Sequence, residues 1–165
     1  MQNVTTALGM PDYVLDAVRS MQGVEYAGPL YAGTALVNLP DGTYQLATVI
    51  GLDDTSLLGR PEMMEGYIQN NCATDAFIAV KDPDFHKRGN VHVGSSFEMN
   101  DRRVVIVGIA KAALSSIFGI PALYTTYERA IQYIPNLRYT ISYVLVEPNR
   151  LLKNRFRQSF SSSFA

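Results

Sequence analysis

One stretch, FEMNDRRVVIVGIA from Phe97 to Ala110, constrains the fold of this chain more than any other. It reads as a short strand, a polar turn at Asn100-Asp101, and a second, very apolar strand. In the second strand Val104, Ile106 and Gly108 alternate with Val105, Val107 and Ile109. Both faces are apolar, so this strand is expected to be buried on both sides, inside a layered domain rather than on a solvated sheet.

The flanking sequence supplies partners for it. PDYVLDAVRSMQG, Pro11 to Gly23, predicts a helix: Val14, Leu15, Val18 and Met21 fall at helical spacing, Pro11 suits a first turn and Gly23 the residue past the end. VEYAGPLYAGTALVN predicts an extended run broken at Gly28-Pro29. Asp41-Gly42 predicts a two-residue type I′ turn into a return strand, Thr43 to Asp53. A loop-like stretch with Gly59, Pro61 and Gly66 follows, and DAFIAVKD predicts a short strand. TTYERAIQYIP predicts a helix with a Thr cap and an apolar stripe of Tyr127, Ala130, Ile131 and Ile134. ISYVLVEPN predicts a closing strand. The expected architecture is α+β.

Charge is unevenly distributed. The 165 residues carry a net −1, but Arg150, Lys153, Arg155 and Arg157 lie after Asn149 with no acidic residue among them. The other 149 residues hold ten basic and fifteen acidic side chains, a balance of −5. A body of that sign repels phosphate backbones, which argues against a nucleic-acid partner. The basic tail 150–165 places Leu152, Phe156 and Phe160 four apart, as in a short amphipathic helix, and could approach acidic lipid or phosphate. No apolar run reaches the roughly 18 residues of a membrane span.

Candidate chemistry is sparse. His86 and His92, with Asp82 and Asp84 nearby, would be the donors of a metal-dependent enzyme, but a six-residue histidine spacing matches no helical pair and no common zinc motif. Solvated loop residues are the plainer reading. Cys72, the single cysteine, excludes an intramolecular disulfide, and its setting, IQNNCATDA, carries no nucleophile signature. No phosphate-binding glycine loop and no G-x-S-x-G elbow occurs. The segment SSIFGIPALYTTY is of another kind. Ile117, Phe118, Ile120, Leu123 and Tyr124 surround a Gly-Ile-Pro that interrupts regular structure. As a surface loop they would form an apolar patch for a protein partner; folded back, they would cover the core. Both readings stand at this level.

The order of these pieces resembles the extracytoplasmic domain of ABC transporter permeases of the MacB/FtsX type, most of all their MacB-like core domain and the DevC-like permeases. The features that carry the resemblance are a helix followed by Gly23-Val24 and Pro29, the hairpin from Val93-Gly94 to Ile109, the helical segment Tyr124 to Ile134, and the strand Ile141 to Pro148. It covers residues 10 to 149. It implies an outer lobe of about 1–53 and 93–149 and a middle lobe of about 54–92; the basic tail at 150–165 departs from the family's usual continuation. It also implies a domain with no catalytic residue, cofactor or metal, flanked in its parent protein by membrane spans. Its partners would be an adaptor protein or cargo, a second permease copy, and a cytoplasmic ATPase reached through the parent permease. Two other readings remain open, a free-standing binding module and the small enzyme built on His86 and His92.

Overall fold

A computed structural model describes residues 9–39, 41–56, 58–67, 75–81, 91–111, 120–134 and 140–149. Among them are ten strands and two helices. In chain order they are β1 (Met10–Pro11), α1 (Tyr13–Arg19), β2 (Val24–Asn38), β3 (Tyr44–Leu52), β4 (Met63–Gly66), β5 (Ala76–Val80), β6 (Ser96–Met99), β7 (Arg102–Ala110), β8 (Ala122–Thr126), α2 (Tyr127–Tyr133), β9 (Thr140–Ile141) and β10 (Tyr143–Pro148). The expected α+β class is the one observed.

Eight strands form one mixed sheet in the order β10-β2-β3-β8-β5-β7-β4, with β6 paired to both β7 and β2. Through β6 the sheet returns on itself, so β2, β3, β8, β5, β7 and β6 make a hydrogen-bonded ring. Most neighbours are antiparallel, while β3–β8 and β5–β7 run parallel. β1 and β9 form a separate two-stranded ladder. The main core fills the ring with Tyr31, Val37, Val49, Phe77, Met99, Ile106 and Leu123 among others. A second cluster lies on the opposite face: Ile50, Leu52, Ile78, Val80, Ala110, Ala122 and Tyr124.

β7 joins the two clusters. Val104 and Ile106 face the ring, but the register against β5 shifts between Phe77 and Ile78, which pair with Ile106 and Gly108. The bulged residue resets the alternation. The bulged Val107 packs against the second cluster; after it Ile109 faces the ring and Ala110 the second cluster. The two-sided apolar pattern therefore has a structural cause, as does the turn before it. Asn100 (φ 50°) and Asp101 (φ 60°) are both left-handed between the paired residues Met99 and Arg102, the geometry of a type I′ hairpin.

Several expectations are corrected. Pro11 does not open α1; it pairs with Thr140, and the helix begins at Tyr13. Gly28-Pro29 does not break β2, which runs on for 15 residues. There β2 has β10 on one side and β3 has not yet begun on the other, so a residue without an N–H forfeits no bond on that open side. The β2–β3 connection is not a two-residue turn. The Leu39 N–H donates to Thr43 O and the Gly42 N–H to Leu39 O, both at 2.8 Å, with Gly42 at φ 80°. The loop-like stretch after Asp53 contains the strand β4, and the closing strand is interrupted at Ser142, whose hydroxyl bonds both the N–H and the carbonyl of Ala32.

The helix α2 forms as its sequence predicts. Thr126 is its N-cap and accepts the Arg129 N–H at 3.3 Å. Ala130 and Ile134 are buried, with Tyr127 and Ile131 packed at the edge of the core. Its approach to β3 depends on Gly51, where a Cβ would lie 2.5 Å from that of Ala130. The carbonyls of Tyr133 and Ile134, at the end of the helix, are capped by side chains from two other elements: Asn100 Nδ2 at 2.8 Å and the Tyr31 hydroxyl at 3.2 Å. The span 54–92, expected as a middle lobe, contributes β4 and β5 to the common sheet, where β5 lies between β8 and β7.

Candidate partner-contact surface

The second face of the sheet is covered only along part of its length. On β3 the outward residues run from Tyr44 (67% exposed) and Leu46 (45%) through half-buried Thr48 to Ile50 and Leu52, which are buried. Leu36, the Cα partner of Leu46, is 52% exposed beside it, while the alternate residues Ala35, Val37 and Ala47 are buried in the ring. Strand alternation thus puts Leu36, Tyr44 and Leu46 on one solvent-facing surface at the hairpin end. Asn38 and Glu98 lie across from Tyr44 on the neighbouring strands. Three large apolar side chains together at one end of a sheet face form an apolar patch, a candidate contact surface.

The described part of the expected contact segment, from Ile120 on, reaches the same end, as the strand β8. Leu123 is fully buried in the ring core and Tyr124 is buried in the second cluster, because β8 is an inner strand between β3 and β5. These two residues are removed from the surface and belong to the scaffold. Ile120 is half-buried just before β8; two residues on, Ala122 pairs with Thr48, as Leu46 stands two residues before Thr48 on the parallel neighbour. Ile117 and Phe118 lie outside the described residues. Sequence reasoning missed Leu36, Tyr44 and Leu46, although the alternation in TALVN and TYQLA would have exposed every second residue once the ribbon was drawn.

A polar cluster sits where β3 leaves the sheet. The Tyr26 hydroxyl donates to Asp53 Oδ2, and Thr55 donates its N–H and its hydroxyl to Oδ1, each at 3.0 Å. Burial pushes the Asp53 carboxyl up, but these bonds and the charge of Arg19 outweigh it and hold the group below its ordinary value. Asp54 moves the other way. Burial raises it, with Asp53 and Glu128 adding repulsion, against the opposing charges of Arg129 and Arg60. The arrangement fixes a turn and presents no open coordination site.

Of the histidines, His92 lies in a local turn. Its N–H donates to Ser95 Oγ at 2.9 Å, and the same oxygen lies 3.1 Å from its Nδ1. His86, Asp82, Asp84 and Cys72 lie outside the described residues. Among the described residues no group of three His, Cys, Asp or Glu side chains could hold a metal ion, and no helix is long and apolar enough to cross a membrane.

No protein-family model matches the sequence, and no curated protein matches it. The fold does match. It is the fold of the extracytoplasmic domains of ABC transporter permeases. One such structure is the extracellular domain of the noncanonic ABC-type transporter YknZ from Gram-positive bacteria (TM-score 0.63, 13% identity, 86% of this chain and 74% of that one). Another is the periplasmic region of MacB from Actinobacillus actinomycetemcomitans (TM-score 0.62, 11% identity, 99% and 75%). A third is a domain of a putative permease from Porphyromonas gingivalis (TM-score 0.59, 18% identity, 86% and 64%). At these identities the likeness is one of fold.

Proposed function

We propose that this chain is the non-catalytic extracytoplasmic domain of an ABC exporter permease, which passes ATP-driven motion from the cytoplasmic side to an adaptor protein or a cargo. The observation that carries this reading is the fold match, which spans 86% to 99% of the chain in three permease domains at TM-scores of 0.59 to 0.63. Fold alone does not fix function, so the reading leans also on the site. The described surface offers an apolar contact face. On this reading the membrane anchors lie beyond both ends of the domain. Met10 pairs with Ile141 and the Asn149 N–H bonds Gly23 O at 2.8 Å, so the chain enters and leaves along the β9–β10 side. The contact face of Leu36, Tyr44 and Leu46 lies towards the other end of β2, roughly 43 Å along the strand from the exit beside Gly23, while the entry at β1–β9 lies nearer, beside Ala32; a protein partner is the occupant this reading expects there.

The parent gene tests the first half. Apolar runs of roughly 20 residues on both sides of this segment are expected; a natural start and stop at its ends would remove the permease reading and favour a free-standing binding module. The second half is tested in the parent transporter by Leu36→Asp with Leu46→Asp. Export is expected to fall while the thermal midpoint of the isolated domain stays within a few degrees. Undiminished export would remove this face from the mechanism.

A further inference from the structure

The ring of strands is not equally strong all the way round. β2–β3 holds nine residue pairs and β3–β8 five, and β5–β7 and β7–β6 hold five and four. These are two three-stranded leaves. Among the described residues their strands pair at two seams, β5–β8 and β2–β6, and each seam has two pairs: Ile78↔Tyr124 with Ala79↔Leu123, and Val37↔Met99 with Asn38↔Glu98. The strands of one leaf, β5, β6 and β7, with β4 at its edge, follow one another in sequence; those of the other come from the chain before and after them.

The seams are reinforced differently. At β5–β8 the Arg129 guanidinium, only 7% exposed, donates from Nη1 to Ala76 O at 2.7 Å and to Thr125 Oγ1 at 2.9 Å, and Thr125 itself donates to Ala76 O at 3.1 Å. All three bonds are buried. A charged hydrogen bond in a dry site is strong, and breaking it would strand a buried cation. At β2–β6 the bonds that cross between the leaves are part-buried. Asn100 Nδ2 donates to Tyr133 O at 2.8 Å, and the Tyr133 hydroxyl donates to Arg103 O. The Arg102 guanidinium lies over the Tyr133 ring, 5.7 Å from its centre. Asn100 itself is exposed.

We infer that the domain is a hinged ring: the leaf of β5, β7 and β6 swings about the dry β5–β8 seam and is held shut by a latch at β2–β6, with Asn100 as its bolt. Opening has to uncover Val37 and Met99, which are fully buried, so the closed form dominates and the open form is a minority state. The device does not depend on the transporter reading.

Hydrogen exchange on the full chain tests it. β6 lies between two strands and should exchange as slowly as β5 if the ring is uniform. The latch instead predicts that peptides covering 96–99 exchange at least tenfold faster than peptides covering 76–80 or 122–125. Asn100→Gly keeps a residue suited to the left-handed turn and deletes the bolt. It should speed exchange at 96–99 about fivefold, the effect of one net hydrogen bond, and leave the hinge peptides unchanged. Oxidised Val37→Cys with Met99→Cys, which are Cα partners across the seam, should slow 96–99 to the rate of the hinge. Equal exchange at β6 and β5, or a uniform acceleration throughout the core in Asn100→Gly, would overturn the proposal. If the cysteine pair does not oxidise, the Asn100→Gly comparison alone decides.

Discussion

β2 carries the same three residues twice, Tyr26-Ala27-Gly28 and Tyr31-Ala32-Gly33, and the structure uses them on opposite faces. In each copy the tyrosine ring lies along the strand over the glycine two residues on. A Cβ at Gly28 would meet the Tyr26 hydroxyl at 2.7 Å, and one at Gly33 the Tyr31 hydroxyl at 2.9 Å. Each hydroxyl then fastens another element. Tyr26 holds the Asp53 turn, half-exposed, and Tyr31 holds the end of α2 from a fully buried site. An offset of five residues inverts the face, so one motif becomes a surface tie and a core pillar. The difference teaches that strand parity, not motif identity, decides what such a residue is worth.

The sharpest way to break that comparison is truncation. Tyr31→Ala should cost about 3–5 kcal/mol, as for other large aromatic deletions from a core, and Tyr26→Ala about 1 kcal/mol; urea midpoints measure both. Equal losses would mean that parity does not govern the pair. Next in size is the glycine under each ring. Gly33→Val forces a ring that has no room to move and should destabilise by about 2 kcal/mol. Gly28→Val displaces a ring that can swing towards solvent, and less than about 1 kcal/mol is expected.

Removing only the hydroxyl is gentler. Tyr31→Phe should cost about 1 kcal/mol at neutral pH, since it leaves Ile134 O without its cap. It also probes pH. Burial, with Tyr127 adding, pushes the Tyr31 phenol up to about 12 from the ordinary 10.0. A group raised in the folded state contributes stability that is complete below its unfolded value and is lost as pH rises through the folded one. Between pH 10 and about 12 the wild type should therefore lose stability faster than Tyr31→Phe, which denaturation at stepped alkaline pH would show.

The smallest effect is expected for Tyr26→Phe, about 0.5 kcal/mol at this partly solvated site. Its clearer readout is Asp53, whose carboxyl should rise towards the ordinary 3.8 once the Tyr26 bond is gone. Because that group is lowered in the folded state, its contribution is present above the ordinary carboxylate value and lost as pH falls through the folded one. A carbon-13 titration of Asp53 that did not move would show that the Thr55 bonds and the Arg19 charge set it without Tyr26.

Local chemistry made much of this fold legible. The Asn100-Asp101 hairpin, the Thr126 cap and the apolar run at Ala76–Val80 each depend on neighbours in sequence, and each formed where the residues pointed. What was hidden depends on distant pairing. The continuation of β2 through Pro29 is understood only when β10 is known to lie beside it. Leu123 and Tyr124 read as loop candidates because nothing local says that β8 enters between β3 and β5. The ring closure at Val37↔Met99 has no sequence signature at all. For the contact face, alternation marked which residues alternate, but not that cover stops between Thr48 and Leu46.

The two-fold use of β2 also sets an order of events. Its first half waits for β10, the last described strand, and the Ala32 to Ser142 bond joins residues 110 positions apart. During synthesis residues 24–29 have no strand beside them until the far end of the domain emerges, whereas the leaf of β5, β6 and β7 can assemble from strands closer in sequence. Loop closure over such a separation is slow, and an unpaired edge invites pairing with a neighbouring chain. The first long strand made is therefore among the last to be completed, and the nascent domain is most vulnerable to misassembly in that interval.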